Sequence, residues 1–338
     1  MDIDLILDSR SNSKDLAEQG KAAEDLGFSG VWVSSLLDGR DAFTNLVDLA
    51  RTTKRIFIGV IAVNPWDMHP VKISSALHTL NEISNGRARI VIGGGGEALA
   101  ALGLKPERRV RAVRECVEII KQASLGERFD FEGEIYKAKG YGLSWLSAPQ
   151  PKVYIGANLN QMLTMSASVA DGVMFSDLPP RLAKNAIKTV FQAKGMSAEL
   201  KKDFWFSSFS AWHVYSDVNR AHKEARRWLL LRGLFRPWVL EEFLMPNEVN
   251  QVMSNQEVFI DAFVTQSGEI PNNKVPKEVV DKLIKNLTFT AAPDFLDLIK
   301  KELLSFKKVG LTSISLRLYE EPIKSMDLLS RKILPIID

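Results

Sequence analysis

Short apolar runs alternate with longer amphipathic segments along nearly the whole chain. The apolar runs have the length and composition of buried β-strands, and we predict strands at residues 3–7, 30–33, 55–63, 90–92, 152–157, 172–175, 204–215 and 312–318. Segments with apolar side chains at helical spacing follow them, and they predict helices at residues 13–26, 42–53, 70–83, 106–123, 161–170, 182–193, 219–232, 292–308 and 322–336.

Eight successive β-then-α units predict an α/β fold, a (β/α)8 TIM barrel with insertions. A doubly wound sheet would tolerate the same alternation, but the first βα turn lacks the pattern G-x-G-x-x-G. We expect one domain over residues 1–338. Two segments interrupt the rhythm: residues 125–150 predict a hairpin insertion, and residues 234–289 predict a helical insertion that caps the barrel mouth.

Composition narrows the class of protein. The chain has 338 residues, of which 46% are hydrophobic, and its formal net charge is only +3. We therefore expect no nucleic-acid partner. No uninterrupted apolar stretch reaches the ~18 residues of a membrane span, so we expect no membrane association and a cytoplasmic location. Cys116 is the single cysteine, and the four histidines show no metal-ligand spacing, so no metal site is predicted.

The most informative stretch is the fourth strand and its continuation. Residues 90–92 are apolar, four glycines follow at 93–96, and Glu97 comes next. Glycines allow a ligand to lie against the backbone, and ligands of α/β enzymes bind at the carboxyl ends of the strands. The alternative is a flexible surface loop with a solvated Glu97.

A second candidate site follows the fifth strand, where Asn158, Leu159 and Asn160 precede a helix. A helix start offers free N–H groups for a phosphate. Simple N-capping by Asn158 or Asn160 is the equal alternative. Four arginines, at 108, 109, 111 and 114, crowd the first half of the helix at 106–123. A solvated helix face is the favoured interpretation of this cluster, and an anion site is the minority one.

Several motifs in order resemble the bacterial luciferase-like superfamily, and especially its coenzyme F420-dependent branch with the methylenetetrahydromethanopterin reductases. The carrying segments are RIFIGVIAVNPWDMHP at 55–70, LNEISNGRA at 80–88, GGGEAL at 94–99, VYIGA at 153–157, ADGV at 170–173, TAAPD at 290–294 and GLT at 310–312. The resemblance covers residues 3–180 and 288–338.

The resemblance implies a hydride-transferring oxidoreductase that binds the 5-deazaflavin coenzyme F420 at the barrel mouth. Glu97 matches the general acid. The positions that match or adjoin cofactor contacts are Ser34, Ser35, Ile61, Ala62, Asn64, Gly94, Gly95, Gly96, Gly156, Ala157, Asn158, Leu159 and Asn160. In the family, a non-prolyl cis peptide, here matching Ile61–Ala62, forms a bulge behind the ring. The small-molecule substrate would be a methylenetetrahydromethanopterin or a similar C=N or C=C acceptor, and the protein a homodimer.

Two departures from the family pattern leave alternatives open. Ser34 and Ser35 replace the Asp-His of the family's dehydrogenases, so alcohol or sugar-phosphate oxidation is disfavoured. Leu159 and Asn160 replace the usual Gly-Pro of the phosphate loop. An FMN-dependent monooxygenase and a non-catalytic barrel without coenzyme are the competing hypotheses.

Overall fold

A computed structural model describes residues 1–96, 98–146, 149–194 and 203–337. Its strands are β1 (Asp2–Leu7), β2 (Gly30–Ser34), β3 (Phe57–Val63), β4 (Ala88–Ile92), β5 (Phe129–Glu132), β6 (Lys137–Tyr141), β7 (Lys152–Gly156), β8 (Gly172–Ser176), β9 (Trp205–Val214), β10 (Thr288–Ala291) and β11 (Ser313–Leu318). The strands of the barrel alternate with helices, as the apolar pattern predicts.

The helices begin with α1 (Ser13–Asp25), α2 (Ala42–Asn45), α3 (Val47–Thr52), α4 (Pro70–Ile83), α5 (Ala98–Ala101), α6 (Arg109–Ala123), α7 (Asn160–Val169) and α8 (Pro180–Lys194). The remaining helices are α9 (Val218–Trp228), α10 (Pro237–Leu240), α11 (Pro246–Ser254), α12 (Gln256–Val264), α13 (Lys277–Leu287), α14 (Asp297–Val309), α15 (Pro322–Lys332) and α16 (Leu334–Ile337). None of the described helices is both long enough and apolar enough to cross a bilayer.

Eight parallel strands close into a barrel in the order β1, β2, β3, β4, β7, β8, β9, β11 and back to β1. The prediction of a (β/α)8 TIM barrel is therefore confirmed. Each barrel strand places alternate side chains inside and outside. The inner set consists of Ile6, Trp32, Phe57, Ile61, Val91, Tyr154 and Met174, and it is separate from the larger core between strands and helices.

Two glycines make room for the aromatic rings inside the barrel. A Cβ on Gly59 would lie 2.1 Å from Cε3 of Trp32, and one on Gly30 would lie 1.8 Å from Cζ of Phe57. Trp32 and Phe57 then meet edge to face at 5.1 Å between ring centroids. These rings fill the barrel, so a ligand has space only above them, at the carboxyl ends of the strands.

Strands β5 and β6 pair antiparallel, in the segment where the sequence predicts a hairpin. A side chain of helix α6 binds the backbone of this hairpin. The carboxylate of Glu115 on α6 is buried and accepts hydrogen bonds from the backbone N–H groups of Glu134, Ile135 and Tyr136 at 2.8–3.0 Å. The Tyr136 hydroxyl donates to the carbonyl oxygen of Pro65 at 2.7 Å, which links the hairpin to the loop after β3.

The structure departs from the predicted elements most clearly at the second helix and at the end of the insertion. The helix predicted at 42–53 is divided at Leu46 into α2 and α3. Strand β10 occupies the end of the predicted helical insertion, and helix α14 starts at Asp297, five residues later than predicted. The lower half of β9 pairs with β8 and its upper half pairs with β10. Residues 288–291 form a strand because they pair with the upper half of β9, which lies far away in the sequence.

Candidate functional site

A cavity of about 690 Å³ opens at the carboxyl ends of the strands. Its wall comes from the segments after β2, β3, β4, β7 and β8, together with the start of α6 and the start of the insertion. The lining side chains and backbone are those of Ser35, Leu37, Ala62, Asn64, Asp67, Gly93, Gly94, Gly95, Gly96, Leu99, Arg109, Val110, Gly156, Ala157, Asn158, Leu159, Gln161, Met162, Met174, Ser176, Arg236 and Trp238.

The glycine loop forms one side of this cavity with bare backbone. The N–H of Gly93 donates to the carbonyl oxygen of Val63 at 2.8 Å, so the loop continues the sheet after β4 ends. A Cβ on Gly93 would lie 3.1 Å from Cβ of Ala62. Gly95 has a φ of +68°, a conformation that glycine adopts without strain. The loop therefore contributes uncovered backbone to the cavity wall.

Strand β3 contains an irregularity beneath the same wall. Val60 pairs with Ile90 and Val63 with Ile92, so β3 spans three residue steps where β4 spans two. This is a β-bulge at Ile61 and Ala62, where the family resemblance places one. Ala62 is exposed to the cavity, whereas Ile61 is 3% exposed and packs inside the barrel. The bulge thus presents a small methyl group to the cavity.

The segment after β7 forms the adjoining wall. The Asn158 amide nitrogen donates to the carbonyl oxygen of Ser176 at 2.9 Å, and its amide oxygen accepts from the Ser176 N–H at 3.0 Å. The N-cap position of α7 is Leu159, without a side-chain cap, and Asn160 is the first helical residue. The N-capping interpretation of Asn158 or Asn160 is therefore wrong. Asn158 instead ties the end of β7 to the end of β8.

Most of the predicted cofactor contacts lie together at the cavity. Those among its lining residues are Ser35, Ala62, Asn64, Gly94, Gly95, Gly96, Gly156, Ala157, Asn158 and Leu159. The other three predicted contacts are outside the lining set: Ser34 and Ile61 are buried, and Asn160 is exposed at the start of α7. Glu97 lies outside the described residues.

Asn64 stabilises the loop that follows β3. Its amide oxygen accepts from the backbone N–H groups of Trp66 and Asp67 at 3.0 and 3.2 Å, and its amide nitrogen donates to the Asp67 carboxylate at 2.6 Å. Such a side chain stabilises a tight turn. Asn64 therefore shapes the loop between the bulge and α4.

Several cavity residues were not predicted from the sequence as site residues, and those with charged or aromatic side chains are Asp67, Arg109, Arg236 and Trp238. The arginine cluster contained a signal for one of them. Arg108 and Arg111 pair with Glu134 of the hairpin, whereas Arg109 lines the cavity. The minority interpretation of an anion site thus fits Arg109 alone. Arg236 and Trp238 come from the insertion, and no local pattern points them towards the barrel mouth.

The ionisable side chains of Asp4 and His213 are buried away from this cavity. Burial raises the pKa of Asp4 to about 6, and the Ser313 hydroxyl, which donates to its Oδ2, opposes that rise. Burial lowers the pKa of His213 to about 3, and the nearby Arg232 adds to this effect. The described ranges contain no group of three or more His, Cys, Asp or Glu side chains placed to hold a metal ion.

Comparisons with known proteins agree with this architecture. A curated relative, the 5,10-methylenetetrahydromethanopterin reductase of Archaeoglobus fulgidus, is 29% identical over 325 residues, which make up 93% of this chain and 93% of the relative. The solved structure of the coenzyme F420-dependent tetrahydromethanopterin reductase from Methanopyrus kandleri is similar, with a TM-score of 0.82, 19% identity, and 100% and 99% of the two chains covered.

A second solved structure with the same fold is an F420-dependent secondary alcohol dehydrogenase in complex with an F420-acetone adduct. Its TM-score is 0.75 at 17% identity, over 100% of this chain and 99% of the other. A family model described as luciferase-like monooxygenase matches residues 4–265. Because that match spans most of the barrel, the resemblance to this superfamily is confirmed, and the chain belongs to the luciferase-like monooxygenase family.

Proposed function

We propose that this protein is a coenzyme F420-dependent oxidoreductase that transfers hydride to a small organic acceptor, with a methylenetetrahydromethanopterin-like C=N compound as substrate. The observation that carries the proposal is the cavity of about 690 Å³ walled by Gly93–Gly96 and Ala62. Bare backbone and one methyl group leave a flat wall, which suits a planar tricyclic ring. The 29% identical reductase of Archaeoglobus fulgidus supports the choice of coenzyme and substrate.

The residues present fit such a coenzyme. Ala62 on the bulge would support one face of the ring, and the segments 93–96 and 156–160 would hold the rest of the molecule. F420 carries a hydride when bound, and the chain's part is to position the acceptor and exclude water. Asn64 holds the loop beside the bulge, and Asn158 holds the ends of β7 and β8 together. These contacts preorganise the cavity walls.

Glu97 is proposed as the acid or base that balances the hydride with a proton. Its neighbours Gly96 and Leu99 line the cavity. A carboxyl group beside an apolar ring would have a raised pKa through loss of solvation, which suits proton transfer near neutral pH. We further propose that the protein works as a homodimer in the cytoplasm, and sedimentation of the purified protein at micromolar concentration tests the dimer.

Coenzyme titrations test the main proposal. Purified protein is mixed with oxidised F420 and separately with FMN, and absorbance and fluorescence give the two dissociation constants. We expect micromolar binding of F420 and no binding of FMN. Tight binding of FMN alone would replace the proposal with an FMN-dependent monooxygenase, and binding of neither would support a barrel without coenzyme.

The role of Glu97 is tested by Glu97→Gln with F420 binding as the internal check. Turnover of reduced F420 with methylenetetrahydromethanopterin should fall by ~10²–10⁴, while the dissociation constant for F420 stays within a few fold. Glu107→Gln, which changes an exposed carboxylate further along the chain, is the control and should keep full turnover. An active Glu97→Gln enzyme would remove this residue from the chemistry.

A further inference from the structure

Arg236 stands at the start of the insertion and reaches back to the barrel. It is the N-cap residue of α10, and its Nη1 donates to the carbonyl oxygen of Ser176 at 2.9 Å. The same carbonyl oxygen accepts from the amide of Asn158. One donor of the guanidinium is therefore used to fasten the side chain to the end of β8, and the head group remains at the cavity wall.

The segment that carries Arg236 is itself held firmly. Arg232 pairs with Asp177 at 3.2 Å, with the two side chains 7% and 0% exposed. Gly233 adopts a φ of +67°, and a Cβ there would lie 3.4 Å from Nη1 of Arg236. The chain thus turns tightly between the buried pair and the cavity. A guanidinium held in this way is preorganised for a ligand, since little of its freedom remains to be lost.

The guanidinium of Arg236 has more N–H donors than there are acceptor groups in contact with it. A guanidinium has five N–H donors, and within the described ranges only the Ser176 carbonyl accepts from it. The buried carboxylate of Asp177, which follows Ser176 in the chain, already accepts from Arg232 and from the Ser176 hydroxyl. The described lining of the cavity includes two cations, Arg109 and Arg236, and one acid, Asp67. The cavity is therefore suited to a ligand with an anionic group.

The two arginines belong to different parts of the wall. The Cδ of Arg109 lies 3.9 Å from the point that a Cβ on Gly94 would occupy, so this side chain lies beside the glycine loop. Arg236 comes from the insertion and lies beside Trp238 and the end of β8. In the proposed function, the coenzyme is held by the glycine wall and by the segment 156–160. The insertion side remains for the substrate.

We propose that Arg236 binds an oxyanion, a carboxylate or a phosphate, of the substrate, so that the acceptor is a small organic anion. This inference rests on the proposed function, which defines what the coenzyme and the substrate are. The planar fork of an arginine matches both anions through two parallel hydrogen bonds. Trp238 provides an adjacent apolar surface for the body of the same molecule.

The first experiment uses inorganic phosphate as the probe, titrated by calorimetry into free and F420-loaded protein at constant ionic strength. We expect millimolar binding to both forms. Arg236→Gln should weaken it at least tenfold, and Arg236→Lys should give an intermediate value, because it keeps the charge without the fork. The matched control is Arg181→Gln, an exposed arginine that pairs with Glu242 of the insertion and should leave binding unchanged. Equal binding by wild type and Arg236→Gln, or no binding by wild type, overturns the proposal.

The second experiment distinguishes the substrate's anion from the phosphodiester of the coenzyme. Dissociation constants of F420 and of 5-deazariboflavin, which lacks that phosphodiester, are measured for wild type and Arg236→Gln. We expect both constants to change less than twofold. A tenfold loss for F420 alone would assign Arg236 to the coenzyme and overturn the substrate assignment. If wild type fails to bind F420, the proposed function fails, while the phosphate titration of free protein still decides the anion site.

Discussion

Gly95 and Gly96 are neighbours in the glycine loop, yet the structure places different demands on them. Gly95 has a φ of +68°, and its missing Cβ would lie 2.3 Å from Cδ1 of Leu99. Gly96 has open space around the missing Cβ and no left-handed backbone. A run of four glycines in the sequence looks uniform, but the need for glycine differs between its members.

Alanine substitutions separate these two positions. Gly95→Ala should lower the free energy of unfolding by about 1–2 kcal/mol, because an L-residue is strained in the left-handed region. Gly96→Ala should change it by less than about 0.5 kcal/mol. Urea unfolding of the two variants and the wild type measures the difference. Equal destabilisation would show that the backbone of the loop differs from the one described.

Because its carboxyl group is buried, Asp4 stabilises the folded protein more at acidic pH than at neutral pH. Its pKa is raised to about 6 by burial, against 3.8 for an exposed aspartate. Between these values the native state keeps a proton that the unfolded chain has lost. The contribution of Asp4 to stability is therefore full below about pH 4 and is lost as the pH rises through 6. The whole change corresponds to about 3 kcal/mol.

The variant Asp4→Asn tests this assignment. Wild type should gain stability relative to the variant when the pH falls from 7.5 to 4, by up to about 3 kcal/mol. Asp294→Asn, which removes an exposed carboxylate, is the control and should show almost no such change. The measurement is urea unfolding at both pH values, and a pH-independent difference would contradict a buried, protonated Asp4.

At the scale of elements, single buried side chains fasten whole segments to the barrel. The hairpin β5–β6 depends on Glu115 in this way, because three backbone N–H groups share its carboxylate. A Cβ on Gly133 would lie 2.4 Å from Oε2 of Glu115, so the turn approaches α6 closely. The hydrogen bond from Tyr136 to Pro65 then joins the hairpin to the loop beside the cavity.

Replacing Glu115 by Gln should destabilise the protein by about 1.5–3 kcal/mol, because an amide NH2 group would face backbone donors. Glu118→Gln, on the same helix, removes only a surface pair with Arg114 and should cost less than about 1 kcal/mol. Urea unfolding ranks the variants, and hydrogen exchange should show faster exchange at residues 134–136 in Glu115→Gln. Similar losses in the two variants would contradict this anchoring role.

At the scale of the whole molecule, a buried ion pair fixes the segment that leads into the insertion to the barrel. Arg232 precedes the insertion, Asp177 directly follows β8, and the pair between them is buried. Asp177 has a φ of +56°, a conformation that Asn and Asp tolerate better than most residues. The guanidinium of Arg232 also lies 4.4 Å from the ring centroid of Phe209 on β9. The guanidinium of Arg232, just before the insertion, therefore contacts residues from the ends of two barrel strands.

The variant Asp177→Asn keeps the backbone preference and removes only the charge. It should destabilise the protein by about 3–5 kcal/mol, because it leaves Arg232 buried without a counter-ion. The double variant Asp177→Asn with Arg232→Met should be more stable than Asp177→Asn alone. Thermal unfolding of the three proteins tests the pair, and a double variant weaker than both single variants would contradict an unpaired charge as the cause.

The alternation of strands and helices and the position of the glycine loop could be predicted from the sequence. Both follow from patterns within short stretches of the sequence. Apolar periodicity indicates which faces of an element are buried, and a run of glycines after a buried strand indicates backbone that no side chain covers. The family resemblance added the bulge at Ile61 and Ala62. Ten of its thirteen expected cofactor contacts line one cavity, since the carboxyl ends of parallel strands meet at one face of a barrel.

Only the tertiary structure decided which distant residues complete that cavity. Arg236 and Trp238 reach it from the insertion, Arg109 is separated from its arginine neighbours, and residues 288–291 become a strand on the free edge of β9. These outcomes depend on partners far away in the chain, and hydrophobic periodicity carries no information about partners. The order of elements could thus be predicted from the sequence, whereas Arg236 reaches the cavity only because the insertion packs against the barrel.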